Sequence, residues 1–330
     1  MNITIKDVAK KAGVSTATVS RVLNNYNYVN ENTKEKVVKA MTELGYKPNE
    51  MARNFALQKT NTIGLIVSDI TNPFYSELAK SITDRAKLFN YHVVLCNTDN
   101  KKENQDFYVD FLRQKGVDGI IFSSVSLKDK KAEELVKSDY PCVFCNRRLK
   151  LKKAAFIASK NKEGAKLAVN HLIEKGHKRI AYISGPNNLS TASERLEGFY
   201  EAMKEKGLQI EEKYIKQGPF SKEISYKLTD ELLSISPVPT AIFVSNDLKA
   251  LASIEIIKEK GYRIPQDIAL IGYDNIDISG HKNILLTTIA QKKEEMGILA
   301  VDTLMDNISN ERNKPQHTFL EPELIIRDTT

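Results

Sequence analysis

From residue 61 onward, short apolar runs alternate with longer amphipathic stretches. The runs IGLIV, HVVLC, GIIF, CVFC, AFIAS, RIAYIS, YIKQG, AIFVSN, IALIGY and LTTIAQ are mostly apolar throughout. That pattern suits strands buried on both faces of a parallel sheet. Between them lie YSELAKSITDRAKLF, ENQDFYVDFLRQKG, KEGAKLAVNHLIEKG and SNDLKALASIEIIKEKG, whose apolar positions recur at helical spacing. Strands and helices in this alternation predict an α/β body of parallel sheets covered by helices. The stretch before residue 61 has no strand-like run and predicts a separate, small, all-α unit.

That unit carries its own punctuation. Thr4 with Asp7 can cap a first helix that turns Val8, Ala9 and Ala12 inward, and Gly13 suits its left-handed stop. Ser15 can cap a second helix, TATVSRVLN, with Val19, Val22 and Leu23 inward. Asn32 with Glu35 forms a capping-box pattern before VVKAMTEL, where Val37, Val38, Met41 and Leu44 share a face and Gly45 ends the helix. Only Gly13, Val14 and Ser15 separate the first two helices, a helix-turn-helix spacing that frees the second helix to enter a major groove by its amino end. Thr16, Ala17, Ser20 and Arg21 are then exposed. Arginine can donate two hydrogen bonds to guanine, and threonine and alanine offer methyl contacts to thymine. Ser15, Thr18 and Asn24 suit phosphate oxygens, and Thr4 at the first helix start joins this DNA-contacting set. The same spacing also suits a plain three-helix packing unit with a polar face.

Charge fits the DNA reading and equally a solvated basic surface, so by itself it decides little between them. The chain has 330 residues, 41% of them hydrophobic, and a net charge of +7. Through Lys59, ten Lys and Arg stand against five acids, so +5 of the +7 lies there. A basic unit joined to a nearly neutral body points to a polyanion at one end. No apolar stretch is long enough to span a membrane and the amino end has no export signal, so a cytoplasmic location is expected. Cys96, Cys142 and Cys145 fit a reducing compartment, with CVFC as buried strand rather than a redox or zinc motif. His92, His171, His177, His281 and His317 are scattered singly, so no metal site is expected. Asp247 and Asp274 are the only carboxylate pair to consider for catalysis, and no nucleophile elbow, P-loop or GxGxxG accompanies them. No catalytic residue and no cofactor are expected.

In open parallel sheets, ligands bind beyond the carboxyl ends of the strands. Those ends hold Asp69, Asn72, Phe74 and Tyr75 after the first run, then Asn146 and Arg147 after the fourth. Phe220 follows the seventh run, Asn246 and Asp247 the eighth, Asp274 the ninth and Gln291 the tenth. Arg195 begins the helix after RIAYISGP. Amides, carboxylates and guanidinium groups among aromatic faces suit a small, neutral, polyhydroxylated molecule. Each of these residues also has a structural explanation, as a helix cap or a core ring.

The run TIKDVAKKAGVSTATVSRVLN, followed by VNENTKEKVVKAMTELGYKPNEMAR, closely resembles the DNA-binding headpiece of the LacI/GalR family of bacterial transcription repressors. The resemblance continues through DITNPFYSELAKSI, KGVDGIIF, EKGHKRIAYISGP, RLEGFYEAMKEKGL, PTAIFVSND, IPQDIALIGYDN and LTTIAQKKEEMG, which are similar to the effector-binding core of those repressors and to periplasmic sugar-binding proteins. It implies a headpiece at 1–48, a hinge helix and linker at 49–60, and a core at 61–330 made of two Rossmann-like lobes joined by three crossovers. Lobe one would span about 61–160 and 292–320, and lobe two about 161–291 and 321–330. It further implies base reading by Thr16, Ala17 and Arg21, with Arg53 and Phe55 on a minor-groove hinge. Asn72, Phe74, Tyr75, Arg147, Arg195, Phe220, Asn246, Asp274 and Gln291 match a sugar-contacting set best known from the ribose-binding branch, with Asn146 beside them.

The partners so implied are palindromic double-stranded operator DNA, a second copy of the chain and a sugar effector. An effector that closes the lobes would change how closely two hinges approach, and so couple effector to operator. A nucleobase or a phosphoprotein corepressor is the alternative effector. Six positions depart from the family pattern. Asn146 replaces an Asp before Arg; Ser159 and Lys160 replace the usual residue before Asn161; Lys292 replaces a Pro; and Leu189 stands where the purine-responsive branch has a basic residue. Phe55 stands where the family has a leucine that wedges into a base step; the resemblance implies the same role for the larger ring, and packing against the headpiece or its own core is the alternative.

Overall fold

The computed structural model of the protein describes residues 3–23, 29–46, 59–309 and 314–330. The chain divides into two compact units, Met1–Thr60 and Asn61–Thr330.

The first unit contains α1 (Ile5–Ala12), α2 (Thr16–Leu23) and α3 (Glu31–Leu44). Val8, Ala9, Val19, Val22, Val37 and Ala40 form its core. The Thr4 backbone N–H and hydroxyl both donate to Asp7 Oδ2, at 2.8 and 2.7 Å, and Gly13 stops α1 at a φ of 66°. Ser15 Oγ accepts from the Thr18 N–H at 3.1 Å, which starts α2. The third helix begins earlier than its sequence signal suggested. Asn30, not Asn32, is the cap, its Oδ1 accepting the Asn32 N–H at 2.9 Å, which places Glu35 two residues too deep to close a capping box. Val38 is exposed, because the inward face is filled by Val37, one position before it, and Ala40, two positions after.

The second unit is built on two six-stranded sheets. One holds β1 (Thr62–Val67), β2 (His92–Asn97), β3 (Gly119–Phe122), β4 (Cys142–Cys145), β5 (Phe156–Ser159) and β11 (His317–Leu320), in the order β11-β5-β4-β3-β1-β2. The other holds β6 (Ile180–Ser184), β7 (Ile215–Gln217), β8 (Ala241–Val244), β9 (Ala269–Asp274), β10 (Thr287–Ala290) and β12 (Glu323–Ile325), in the order β12-β10-β9-β8-β6-β7. All pairings are parallel except β10 with β12. The chain passes between the sheets after β5, after β10 and after β11.

Eight helices cover the sheets among the described residues: α4 (Pro73–Leu88), α5 (Lys102–Gln114), α6 (Lys130–Lys137), α7 (Asn161–Glu174), α8 (Ser190–Glu205), α9 (Lys222–Leu233), α10 (Asp247–Glu259) and α11 (Lys293–Ser309). Two apolar clusters pack against each sheet, as strands apolar on both faces require. Cys142 and Cys145 are buried in β4, where burial raises both thiols, Cys142 to about 12. Unreactive thiols in a packed strand agree with the core role read for CVFC. Strands β11 and β12 lie outside the ten apolar runs. They sit at sheet edges and are mostly not buried, so nothing in their composition marks them as continuous apolar segments.

The pair α7 and α8 packs at backbone contact, with Gly198 against the Lys162 carbonyl, where an added Cβ would collide. Gly198→Ala should therefore push the helices apart and lower stability by about 1 to 3 kcal/mol, measured by urea unfolding.

Candidate effector cavity and DNA-reading face

In the first unit, Thr4, Ser15, Thr16, Ala17 and Arg21 are exposed, and Thr18 and Ser20 are half-buried. Val19 and Val22 turn inward, which directs the opposite side of α2 to solvent. Ser15 Oγ lies 2.9 Å from Thr18 Oγ1, so these two hydroxyls meet at the amino end of α2, where N–H groups favour a phosphate. Asn24, Arg53 and Phe55 lie outside the described residues.

The second unit holds a cavity of about 450 Å³ at the carboxyl ends of both sheets. It is lined by Asn72, Phe74, Tyr75, Asn146 and Arg147 from the first sheet's loops and by Arg195, Phe220, Asn246 and Asp274 from the second's. The residues expected at the strand ends for ligand contact are thus brought together, except Asp247 and, after the tenth run, Gln291. Gln291 stands one layer behind, its Nε2 donating to Asp274 Oδ1 at 2.7 Å.

Local structure fixes the polar groups. Asn72 caps α4 by accepting the Phe74 N–H at 3.0 Å, with Pro73 at the first helical position, and this turns Phe74 and Tyr75 inward. Their rings meet edge to face, 5.2 Å apart. Asn246 caps α10 through the Lys249 N–H at 2.9 Å. Asn146 and Asp274 have φ of 68° and 116°, left-handed backbone at the ends of β4 and β9 that aims their side chains off the strand axis. Arg195 falls inside α8, which begins at Ser190, so it reaches the cavity from the second turn rather than the helix start.

Charge in the cavity is arranged in depth. Arg195 Nε donates to Asn161 Oδ1 at 2.9 Å, its Nη1 donates to the Ser245 carbonyl at 2.5 Å, and the guanidinium lies over the Tyr273 ring at 3.5 Å. Asp274 Oδ1 is 3.7 Å from Arg195 Nη1. Burial raises the Asp274 carboxyl above its ordinary range, and the Arg195 charge opposes that. Asp247 points away from the cavity and accepts from the Ile276 N–H, the Ser279 hydroxyl and the Thr288 hydroxyl. Burial lifts it to about 7. It ties β9 and β10 to α10, and no nucleophile accompanies it, so a structural duty accounts for it.

Sequence inspection passed over Lys249, Thr191 and Asn100, all on the cavity wall. Lys249 is buried, and its Nζ donates to the carbonyls of Ser184 at 2.7 Å and Gly218 at 3.3 Å. Burial lowers it to about 7. Its sequence signal was a lysine three residues after the Asn246 cap, on the helix face that also carries Asn246. Among the described residues, no group of three or more His, Cys, Asp or Glu is placed to hold a metal, and no helix is long and apolar enough to cross a membrane.

Comparison with known proteins follows this division. Residues 4–49 match the family model "Bacterial regulatory proteins, lacI family", and residues 169–330 match "Periplasmic binding protein-like domain". The HTH-type transcriptional repressor PurR of Vibrio vulnificus (strain CMCP6) is 38% identical over 327 residues, which is 99% of this chain and 98% of that protein. Among solved structures, the Lac repressor bound to ONPG in its repressed state aligns over 100% of both chains, with a TM-score of 0.86 and 31% identity. The transcriptional regulator CelR in its cellobiose complex aligns over 99% of this chain and 100% of its own, with a TM-score of 0.77 and 30% identity.

Removing Arg195 would strand Asp274 as a buried carboxylate without its cation. Arg195→Met should cost about 3 to 5 kcal/mol in urea unfolding of the core. A loss within about 1 kcal/mol would rank the pair with weak surface contacts.

Proposed function

The chain belongs to the lacI family of bacterial regulatory proteins and is a DNA-binding transcriptional repressor, and from that premise we propose that a small sugar or sugar derivative, bound between its two sheets, sets its affinity for operator DNA. The observation that carries this reading is the lining of the cavity. Phe74 and Tyr75 approach from one sheet and Phe220 from the other, with Asn146, Arg147, Arg195, Asn246 and Asp274 between them. Rings stack on the apolar faces of a sugar, and the amides, guanidinium groups and carboxylate bond its hydroxyls. The solved relative CelR, in complex with cellobiose, adds a sugar ligand within this kinship.

The mechanism that follows is reciprocal coupling. Two chains present two headpieces to the halves of a palindromic site. Thr16, Ala17 and Arg21 read bases, Ser20 lies beside them, Thr4, Ser15, Thr18 and Asn24 hold phosphates, and Arg53 and Phe55 enter the minor groove. An effector that favours one arrangement of the core must shift operator affinity by its differential binding to the two arrangements. The protein acts in the cytoplasm and returns its effector unchanged, as a binding protein rather than an enzyme.

A second reading, a nucleobase effector, is favoured by the full-length similarity to repressors named PurR. Leu189 weakens it. The side chain is buried at the start of α8 and offers no hydrogen bond where the purine branch has a basic residue.

Operator binding by the purified protein, measured with pentoses, hexoses, their acidic derivatives and hypoxanthine, separates the two. A response to a sugar or sugar derivative and none to hypoxanthine is expected; the reverse would replace the sugar by a purine. In the same assay Arg21→Ala should relax base preference at one operator position, at a cost of about 1 to 3 kcal/mol for the preferred base. An unchanged preference would remove Arg21 from the base-reading set.

A further inference from the structure

The cavity has more buried positive charge than its own acids balance. Arg195 has Asp274 at 3.7 Å. At the rim, Lys222 pairs with Glu255 at 2.9 Å, and both are exposed. Asp69 is half-buried and accepts from the Thr71 N–H and hydroxyl at 3.0 and 2.7 Å.

Two deeper basic side chains have no such partner. Arg147 is 3% exposed and Lys249 is 1% exposed. Arg147 donates only to neutral acceptors, the Ser124 carbonyl and Asn100 Oδ1, each at 3.2 Å, and its Nε–H has no hydrogen-bond partner. Lys249 donates only to backbone carbonyls. Neither forms an ion pair among the described residues. They approach the ring of Phe220 to 5.9 and 5.5 Å, so both charges border the same wall.

The residue before Arg147 sharpens the point. Asn146 is 5% exposed, lines the cavity, and its Oδ1 is also without a partner. An amide at this position adds no negative charge to the cavity lining, so that charge is left for the ligand to supply. A buried cation left unpaired is costly, and a ligand that supplies the missing anion recovers the cost as affinity.

We propose that the effector is an acidic sugar, whose carboxylate or phosphate group pairs with Arg147 in the field of Lys249. This rests on the sugar reading above and narrows it from neutral to negatively charged molecules. Arg195, Asp274 and the aromatic rings keep their part in holding the hydroxylated body. Charge complementarity then provides the discrimination: a neutral sugar of the same size leaves the Arg147 charge without a counter-charge, and its affinity falls accordingly.

The test is isothermal titration of the full-length protein with matched sugars. D-glucose is compared with D-gluconate, D-glucuronate and D-glucose 6-phosphate, and D-ribose with D-ribonate and D-ribose 5-phosphate, with hypoxanthine alongside. At least one acid should bind about 10- to 100-fold more tightly than its neutral counterpart, the span of one charged hydrogen bond. The carboxylates and the phosphates are separate arms, so the result also identifies the anion. Asn146→Asp, which adds a negative charge to the cavity lining, should reduce or reverse that preference. A neutral sugar binding as tightly as the acids would overturn the proposal and leave the sugar reading standing. Binding of hypoxanthine alone, or of no compound in the panel, would overturn both.

Discussion

Arg195 is the fixed point around which the cavity is assembled. Its guanidinium is buried yet held on several sides at once, by Asn161 Oδ1, by the Ser245 carbonyl, by the Asp274 carboxylate and by the face of Tyr273. A charge this deep is tolerated only when its hydrogen-bond capacity is nearly filled. The residues that fill it come from α7, the end of β8 and the end of β9, so satisfying one side chain registers three elements of the second sheet against one another. Gln291 then braces Asp274 from β10's end. Below this layer Asp247 repeats the device, gathering the Ile276 N–H and the hydroxyls of Ser279 and Thr288.

The first sheet's side of the cavity is built differently. Its contributions are rings delivered by a helix cap and a cation, Arg147, held by two neutral acceptors. One wall carries an ion pair, while both keep unfilled bonding capacity, in Asn146 Oδ1 and Arg147 Nε on the first side and in Ser245 Oγ and Gln291 Oε1 on the second. Unfilled capacity is where a ligand gains most, since it supplies bonds that the protein alone cannot make.

How much of this was legible in the sequence depended on whether the signal was local. The ten apolar runs, the headpiece turn and the polar residues at strand ends are each announced by neighbours along the chain, and the parallel sheets place those ends together. Strands β11 and β12 were not legible, since edge strands of three or four residues need no apolar continuity. The α3 cap was misplaced by two residues because Asn30 and Asn32 carry the same chemistry, and only backbone geometry distinguishes them. Lys249 escaped notice because a lysine on a helix ordinarily faces water. Its burial is decided by the Ser184 and Gly218 carbonyls, which are distant in sequence.

Recognition and lobe contact are carried by adjacent residues. Arg148 follows Arg147 in the first lobe, and Glu194 precedes Arg195 in the second; Arg148 Nη2 donates to Glu194 Oε1 at 2.6 Å. The Arg148 N–H also donates to Ser190 Oγ at 3.0 Å, and the Leu127 N–H to the Asn188 carbonyl at 2.8 Å. On the far side Lys293 of α11 donates to the Asn275 carbonyl at 2.7 Å while pairing with Glu77 at 2.8 Å. These contacts join the two lobes directly, and two of the residues that would hold a ligand are covalent neighbours of those that hold the lobes. Arg147 and Arg148 share a peptide unit, as do Glu194 and Arg195, so any backbone shift at a ligand-contacting residue would be passed directly to the Arg148–Glu194 bridge. That is the physical basis on which a small molecule at Arg147 and Arg195 would bias the arrangement of the core.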